Sequence, residues 1–526
     1  MGILYSCDTI PSMTIAIIGG GLTGLTAAYE LLKEGHQVTL FEKEKTLGGL
    51  AGGLKQNNWK WSLEYFYHHF FTNDSAIIDL SKELGLEKEL LTLRPITATL
   101  IQRTEDGKQK TEGCQGANKI LRGFTSSLPV RSWREKHGTE NASKFSFATD
   151  AFRKTSTSSP TIFQLDSPMS LLTFPLLSPI DKLRTAALLG FCKLNPFWQP
   201  LEKMTAEQFF KTIGGIHAWN TLWEPLMYGK FGDYAKQVPA SWLWARFHKR
   251  TMNLGYFRGG FQTFIDALEK AIIQQKGTII KNAQVQSIIP VVVDLGISVI
   301  PEARRAIRDL PEQHIRFRIS LRSSGMTEKA PKIIFNTVLI TIPSRQAVKL
   351  IQFPKPYETR LGVINHLYAQ TLILETRDPV LDTVYWLNIN DRSFPFLAVV
   401  AHTNMVDKKF YGGNHITYIG NYLPEGHPYL KMNKQQLFKL FLPYLKKINP
   451  SMNSQLVTRN SQLFTAPSAQ PIHTLNYSKK APPIKTPIEG IYLANLDSIY
   501  PWDRGTNYAV ELGQQAARTI IKNPTS

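Results

Sequence analysis

The chain has 526 residues, 43% of them apolar, and 61 Lys and Arg against 41 Asp and Glu, a formal net charge of +20. A chain of this length and apolar content buries a large core in two or three domains and falls outside the disordered class. The basic excess suits an anionic membrane surface or an anionic substrate; no zinc-ligand pairs, RNP motif or basic heptad helix accompanies it, so nucleic acid is not an expected partner. Cys7, Cys114 and Cys192 are too few and too scattered for a disulfide framework or a metal site, and no other metal-ligand spacing is present, which points to a reducing, cytoplasmic location. Beyond Ile15–Leu32, no segment offers about 20 uncharged apolar residues, so no transmembrane helix is expected.

Residues 1–12 read as an extension ahead of a domain that begins at Met13 or Thr14. Met1–Ser6 formally fits a myristoylation pattern, with Cys7 beside it. Thr14–Ile18 is a short apolar run, read as a buried parallel strand. Gly19, Gly21 and Gly24 form G-x-G-x-x-G at its end, with Gly20, Leu22 and Thr23 between them. Leu22–Lys33 reads as a helix stopped by Gly35, and Val38–Phe41 as a second strand ending at Glu42 and Lys43. Glu42 follows Gly24 by 18 residues, close to the offset of about 20 for a ribose-binding acid. Gly19 permits the tight turn, Gly21 lets a pyrophosphate reach the backbone, and Gly24 lets the helix lie close to the sheet. The helix N-terminus offers free N–H groups to phosphate. Strand, glycine loop, helix, strand and acid together specify a dinucleotide-binding unit.

Gly48, Gly49, Leu50 and Ala51 follow, then Glu64–Phe71 with adjacent His68 and His69. A histidine beside a bound ring can hydrogen-bond it or carry a proton; the alternative is one packed and one solvated histidine. Residues 103–160, rich in Ser, Thr, Lys and Arg, read as an inserted mobile loop. Residues 161–254 carry helical patterns and many aromatics. Within them Leu171–Trp198 combines apolar clusters, prolines, Lys182, Arg184 and Lys193, which suits either a packed helix pair or contact with a bilayer. Lys230 lies in Trp223–Tyr234 and could reach a cavity or stay at the surface. Arg258 stands beside Gly259 and Gly260, placed to face a cavity or a substrate anion. Leu254–Phe264 leads into a helix to about Gln275, Gly277–Val285 reads as one strand, a smaller insertion is expected at about 290–313, and Val338–Ser344 is a further strand. Residues 346–470 mix strands and helices. Gly490–Ala494 reads as a strand ending at Asn495, followed by a loop through Asp503 and Arg504 and a helix to about Lys522; the alternative is a surface helix capped by Thr506 or Asn507.

These segments, in this order, resemble the FAD-containing amine oxidase superfamily, most of all its branch with protoporphyrinogen oxidase and phytoene desaturase. The resemblance implies an α/β fold: a Rossmann-like FAD-binding domain, discontinuous over 13–102, 255–345 and 471–526, with a mixed α+β substrate domain from 161–254 and 346–470. It implies FAD contacts from Gly19, Gly20, Gly21, Leu22, Thr23, Gly24, Glu42, Lys43, Gly48, Gly49, Leu50, Ala51, Val285, Asn495, Asp503, Arg504, Thr506, Asn507 and Tyr508. Leu50 stands where the superfamily often has an Arg. The implied reaction is dehydrogenation of a small, hydrophobic molecule by hydride transfer to flavin N5, with dioxygen or a quinone as acceptor. The candidate catalytic residues are His68, His69, Lys230 and Arg258, and the resemblance implies peripheral membrane contact through Leu171–Trp198. The His68–His69 loop is also similar to that of UDP-galactopyranose mutase, which leaves a flavin-dependent isomerase as one alternative; a non-catalytic flavin-binding accessory protein is another.

Overall fold

Thr14–Ile18 is buried at every position but the first because both faces of its sheet are covered. It pairs in parallel with Gln37–Phe41 on one side and Thr337–Ile340 on the other; Thr278–Ile280 and Ile491–Leu493 complete a five-stranded parallel sheet. Segments remote in sequence therefore build one layer. The computed structural model describes residues 12–101, 160–292, 315–322, 334–452 and 461–524. The N-terminal extension through residue 11, the insertion expected at 103–160 as far as residue 159, and that expected at 290–313 from residue 293 lie outside them.

The second layer is a seven-stranded sheet in the order Gln462–Pro471, His366–Thr376, His415–Leu423, Ala398–Ala401, Val384–Ile389, Ile96–Ile101, Thr161–Gln164. Ile96–Ile101 falls in the segment expected to serve the nucleotide domain, yet it pairs in parallel with Val384–Ile389 in this other sheet. Helices Pro179–Leu194, Ala206–Gly214, Glu224–Phe231 and Ala240–Lys249 pack beside it around Phe210, Trp219, Trp242 and Trp244.

Gly277–Val285 is not one strand. Thr278–Ile280 joins the parallel sheet, and Gln284–Val292 turns away to pair antiparallel with Ile315–Arg322. The break is at Asn282, whose φ of 55° places it in the left-handed region that Asn tolerates.

Glu64 joins the layers. Its carboxylate accepts from the Phe261 N–H (2.7 Å), at the start of the Phe261–Gln274 helix, and from the Tyr256 hydroxyl (2.9 Å). Its carbonyl accepts from Tyr418 of the seven-stranded sheet (2.8 Å). Burial pushes this carboxyl up to about 7, against the pull of the Phe261 N–H and Tyr256. The folded chain therefore keeps a proton that the unfolded chain loses near pH 4.5. The contribution of this group to stability falls as pH rises from there to about 7, and is flat above. Glu64→Gln keeps an acceptor for Phe261 and should flatten that slope, read as a smaller difference in melting temperature between about pH 5 and about pH 8.

Candidate functional site

A cavity of about 1130 Å³ lies between the layers. One part is walled by Gly19, Gly21, Leu22, Thr23, Glu42 and Lys43, with Gly48, Gly49, Leu50, Ala51 and Val285 beside them. A Cβ built on Gly21 meets nothing within 4 Å, so this backbone is open to a ligand. Gly24 does not line the cavity; its Cβ would stand 2.0 Å from the Gly19 carbonyl oxygen, so its role is helix–strand contact. Gly20 is likewise not at the wall: its N–H donates to Glu42 Oε2 (2.7 Å). Glu42 Oε1 accepts from the Glu44 N–H (2.9 Å), so the acid is oriented on the cavity edge by two backbone donors.

The C-terminal loop and helix close another side through Asn495, Asp503, Arg504 and Thr506. The helix Thr506–Ile521 is capped by Gly505 without a side-chain bond, rather than by Thr506 or Asn507. Its N–H groups are thus free toward the cavity, and Thr506 Oγ1 is buried there without a partner. Asn507 and Tyr508 are not at the wall. Asn507 Oδ1 accepts from the Ile77 N–H (3.0 Å), and Tyr508 stacks on Trp502. The Asn495 amide is spent on Ile342 O (2.9 Å) and Ser344 Oγ (3.1 Å).

Of the four candidate catalytic residues, three line the cavity. His68 Nδ1 lies 2.6 Å from Phe66 O, so it carries the proton and leaves Nε2 as an acceptor. His69 Nδ1 lies 3.2 Å from the Tyr385 hydroxyl. Burial first, and then the positive charge of Arg504 for His68 and Arg250 for His69, holds these rings well below the usual range, at about 4 and about 3. Both are neutral at pH 7. Lys230 is buried on the Glu224–Phe231 helix, with Nζ 2.7 Å from Asp503 Oδ2. Burial pushes its ammonium down to about 7, against the attraction of Asp503. Arg258 is elsewhere: half exposed, with its guanidinium 3.6 Å from Glu89. Its backbone N–H also donates to Glu89 O (2.8 Å), so both backbone and side chain are turned to that segment rather than to the cavity wall.

Residues 17–84 match the model of the NAD(P)-binding Rossmann-like domain. Zeta-carotene desaturase of Capsicum annuum is 39% identical over 83 residues, 15% of this chain and 14% of that protein, so the chain matches only a small part of that relative's length. Among solved structures, an oxidoreductase from Methanosarcina mazei superposes with a TM-score of 0.62 at 16% identity, over 96% of this chain and all of that one. Cyclohexylamine oxidase from Brevibacterium oxydans superposes with a TM-score of 0.56 at 12% identity, over 97% and 99%. The chain has the fold of these oxidoreductases.

Further lining residues were not apparent from the sequence. Arg246, one helical turn after Trp242, has NH1 3.2 Å from Asp503 Oδ2. The signal was a charge four residues from a buried Trp on an apolar helix. His366 and Asp497 also face the cavity, bonded to each other at 2.6 Å; no local pattern links residues so far apart.

The glycines allow a paired test. Gly21→Ala should leave melting temperature unchanged while reducing the dinucleotide retained on purification. Gly24→Ala should destabilise the fold itself by about 1–3 kcal/mol, since its Cβ meets backbone. Thermal melts and nucleotide content on both variants separate the two roles.

Proposed function

We propose that the chain is an FAD-dependent oxidoreductase that dehydrogenates an apolar small molecule. The observation that carries this is the single cavity that joins an open glycine loop to an aromatic chamber containing His68, His69 and Lys230. The residues present suit FAD. Gly21 leaves room at the backbone, Glu42 is oriented at the edge, and the free N-terminus at Gly505 with the orphaned Thr506 hydroxyl offers donors. Gly19, Gly48, Gly49 and Val285 would hold its nucleotide half, and Arg504 and Thr506 its ring half. When bound, FAD supplies a two-electron acceptor that dioxygen or a quinone reoxidises.

The chain's own residues bind, orient and exclude water. Tyr65 with Phe464 (4.6 Å between centroids) and Tyr67 with Trp386 (4.9 Å) wall the chamber with rings that suit an apolar body. Neutral His68 Nε2 can accept a proton from a substrate N–H. Lys230, pushed toward neutrality by burial, can hold an ordered water or a proton at Nζ.

The helix Pro179–Leu194 carries an apolar face outside the cavity. Ile180, Leu183, Ala187, Phe191 and Leu194 form one exposed stripe, with Leu183 at 72% and Leu194 at 82% exposure, and Phe197 continues it. Lys182, Arg184 and Lys193 are turned back onto carbonyls of Leu172, Thr212 and His248, which leaves the stripe apolar within a basic rim. This reading gives the stripe to the surface of an anionic bilayer. Among the described residues no helix is long and apolar enough to cross a membrane.

The purified protein should show the two-band flavin spectrum and release FAD on denaturation; a colourless chain that takes up no added FAD sinks the proposal. Leu183→Glu with Leu194→Glu should reduce co-sedimentation with phosphatidylglycerol-containing vesicles about tenfold or more, with FAD content unchanged.

A further inference from the structure

Lys230 reaches the cavity from a helix with an irregular start. Trp219–Trp223 is a turn of π-helix, with the Glu224 N–H donating to Trp219 O five residues back, and the Glu224–Phe231 helix continues from it. Pro225 stands at the junction and has no N–H to give the carbonyls of that turn. The Thr221 and Leu222 carbonyls are met instead by one side-chain amide, Asn390 Nδ2, at 3.3 and 3.1 Å. Asn390 follows the strand Val384–Ile389, and its own N–H donates to Leu100 O (2.9 Å), which fixes it to the seven-stranded sheet. Two residues on, the Arg392 guanidinium pairs with Glu224 and lies over the Tyr228 ring at 4.1 Å. One short segment thus grips the π-turn from inside and the first turns of the helix from outside.

An α-helix turns by about 100° per residue, so the extra residue of a π-turn rotates all that follows by about that angle. The rotated helix fits closely. A Cβ on Gly229 would stand 2.7 Å from Leu397 Cδ1, at the start of the strand Ala398–Ala401, so this face lies directly on the sheet. The next residue, Lys230, is thereby turned to Asp503 (2.7 Å) on the cavity wall. We infer that Asn390 and Arg392 are positioning residues: they hold the π-turn that rotates Lys230 into the cavity. Neither residue lines the cavity, so both act on it through the helix. What Lys230 does there rests on the oxidoreductase reading; the inference adds the segment that puts it in place.

The test follows the titration of Lys230 in the full chain, through the pH dependence of its acetylation by acetic anhydride, read at that residue by mass spectrometry. Burial holds this ammonium down to about 7 against the attraction of Asp503, and Arg246 and Arg504 add to the fall. A lysine rotated off the wall loses burial first, so its midpoint rises. Asn390→Leu keeps the volume and removes the donor; it should raise the midpoint by about one pH unit or more. Arg392→Met should raise it in the same direction. The Arg392 side chain is 25% exposed, so this variant keeps the test open if Asn390→Leu does not fold, which melting temperature reports. A midpoint unchanged in the folded variants overturns the inference, as does a Lys230 that already titrates in the ordinary lysine range in the unaltered chain. The measurement needs no FAD. Failure to take up FAD would count against the oxidoreductase reading and would leave the placement of Lys230 standing.

Discussion

Close approach of backbone at two glycines organises the molecule. A Cβ on Gly24 would stand 2.0 Å from Gly19 O, and one on Gly513 would stand 2.6 Å from Thr23 O. The first contact seats the Leu22–Lys33 helix on its strand. The second seats the Thr506–Ile521 helix on the first, although 490 residues of numbering separate their partners at positions 23 and 513. Any side chain at either point would push the helices apart. Their contact aims two helix N-termini at the same cavity, and neither is capped by a side chain. Two sets of free N–H groups and two positive dipole ends therefore converge on it. The nucleotide site follows from how closely these elements pack, before any single donor is counted.

Asp503 is the electrostatic counterpart of that contact. Burial alone would push its carboxyl up, yet Lys230 and Arg246 hold it well below the usual carboxylate range. Lys230 and Arg246 stand on two helices of the layer beside the seven-stranded sheet, while Asp503 belongs to the loop that leads into the C-terminal helix. The ion cluster thus bridges the two layers across the cavity. A buried ion pair contributes little net stability because desolvation offsets its attraction. What it does supply is registry between the loop at one wall and the helices at another, and breaking one partner would leave a buried charge alone.

The N-terminal unit was legible because its signals are local. Strand, glycines, helix and acid fall within residues 14–42, and the steric reasons for Gly21 and Gly24 hold in the folded chain. The C-terminal strand and helix were legible for the same reason. Asn282 escaped notice because a single left-handed residue leaves the apolar pattern of Gly277–Val285 intact. Arg246, His366 and Asp497 escaped because tertiary contacts alone bring them to the wall. Arg258 shows the opposite error: nearness in sequence to a glycine turn says nothing about where a side chain ends up when its backbone N–H is committed to Glu89 O (2.8 Å). Glu42 lies between these cases. Its position was readable, but its orientation by the Gly20 and Glu44 N–H groups belongs to the folded turn.

The helix that bears the exposed stripe and the helix that bears Arg246 are tied to each other. The Pro179–Leu194 helix buries Thr185, Leu188 and Cys192 against its neighbours and leaves its opposite face apolar. Lys193 Nζ, near its end, donates to His248 O (3.0 Å) and Arg250 O (2.9 Å). Those carbonyls belong to the end of the Ala240–Lys249 helix and the residue after it, where the last turns of a helix leave acceptors unpaired. The same helix carries Arg246 one turn earlier. The apolar face and Arg246 are therefore carried by two clamped helices, with Trp244 donating from its indole to Asn195 O (2.8 Å) as a second tie.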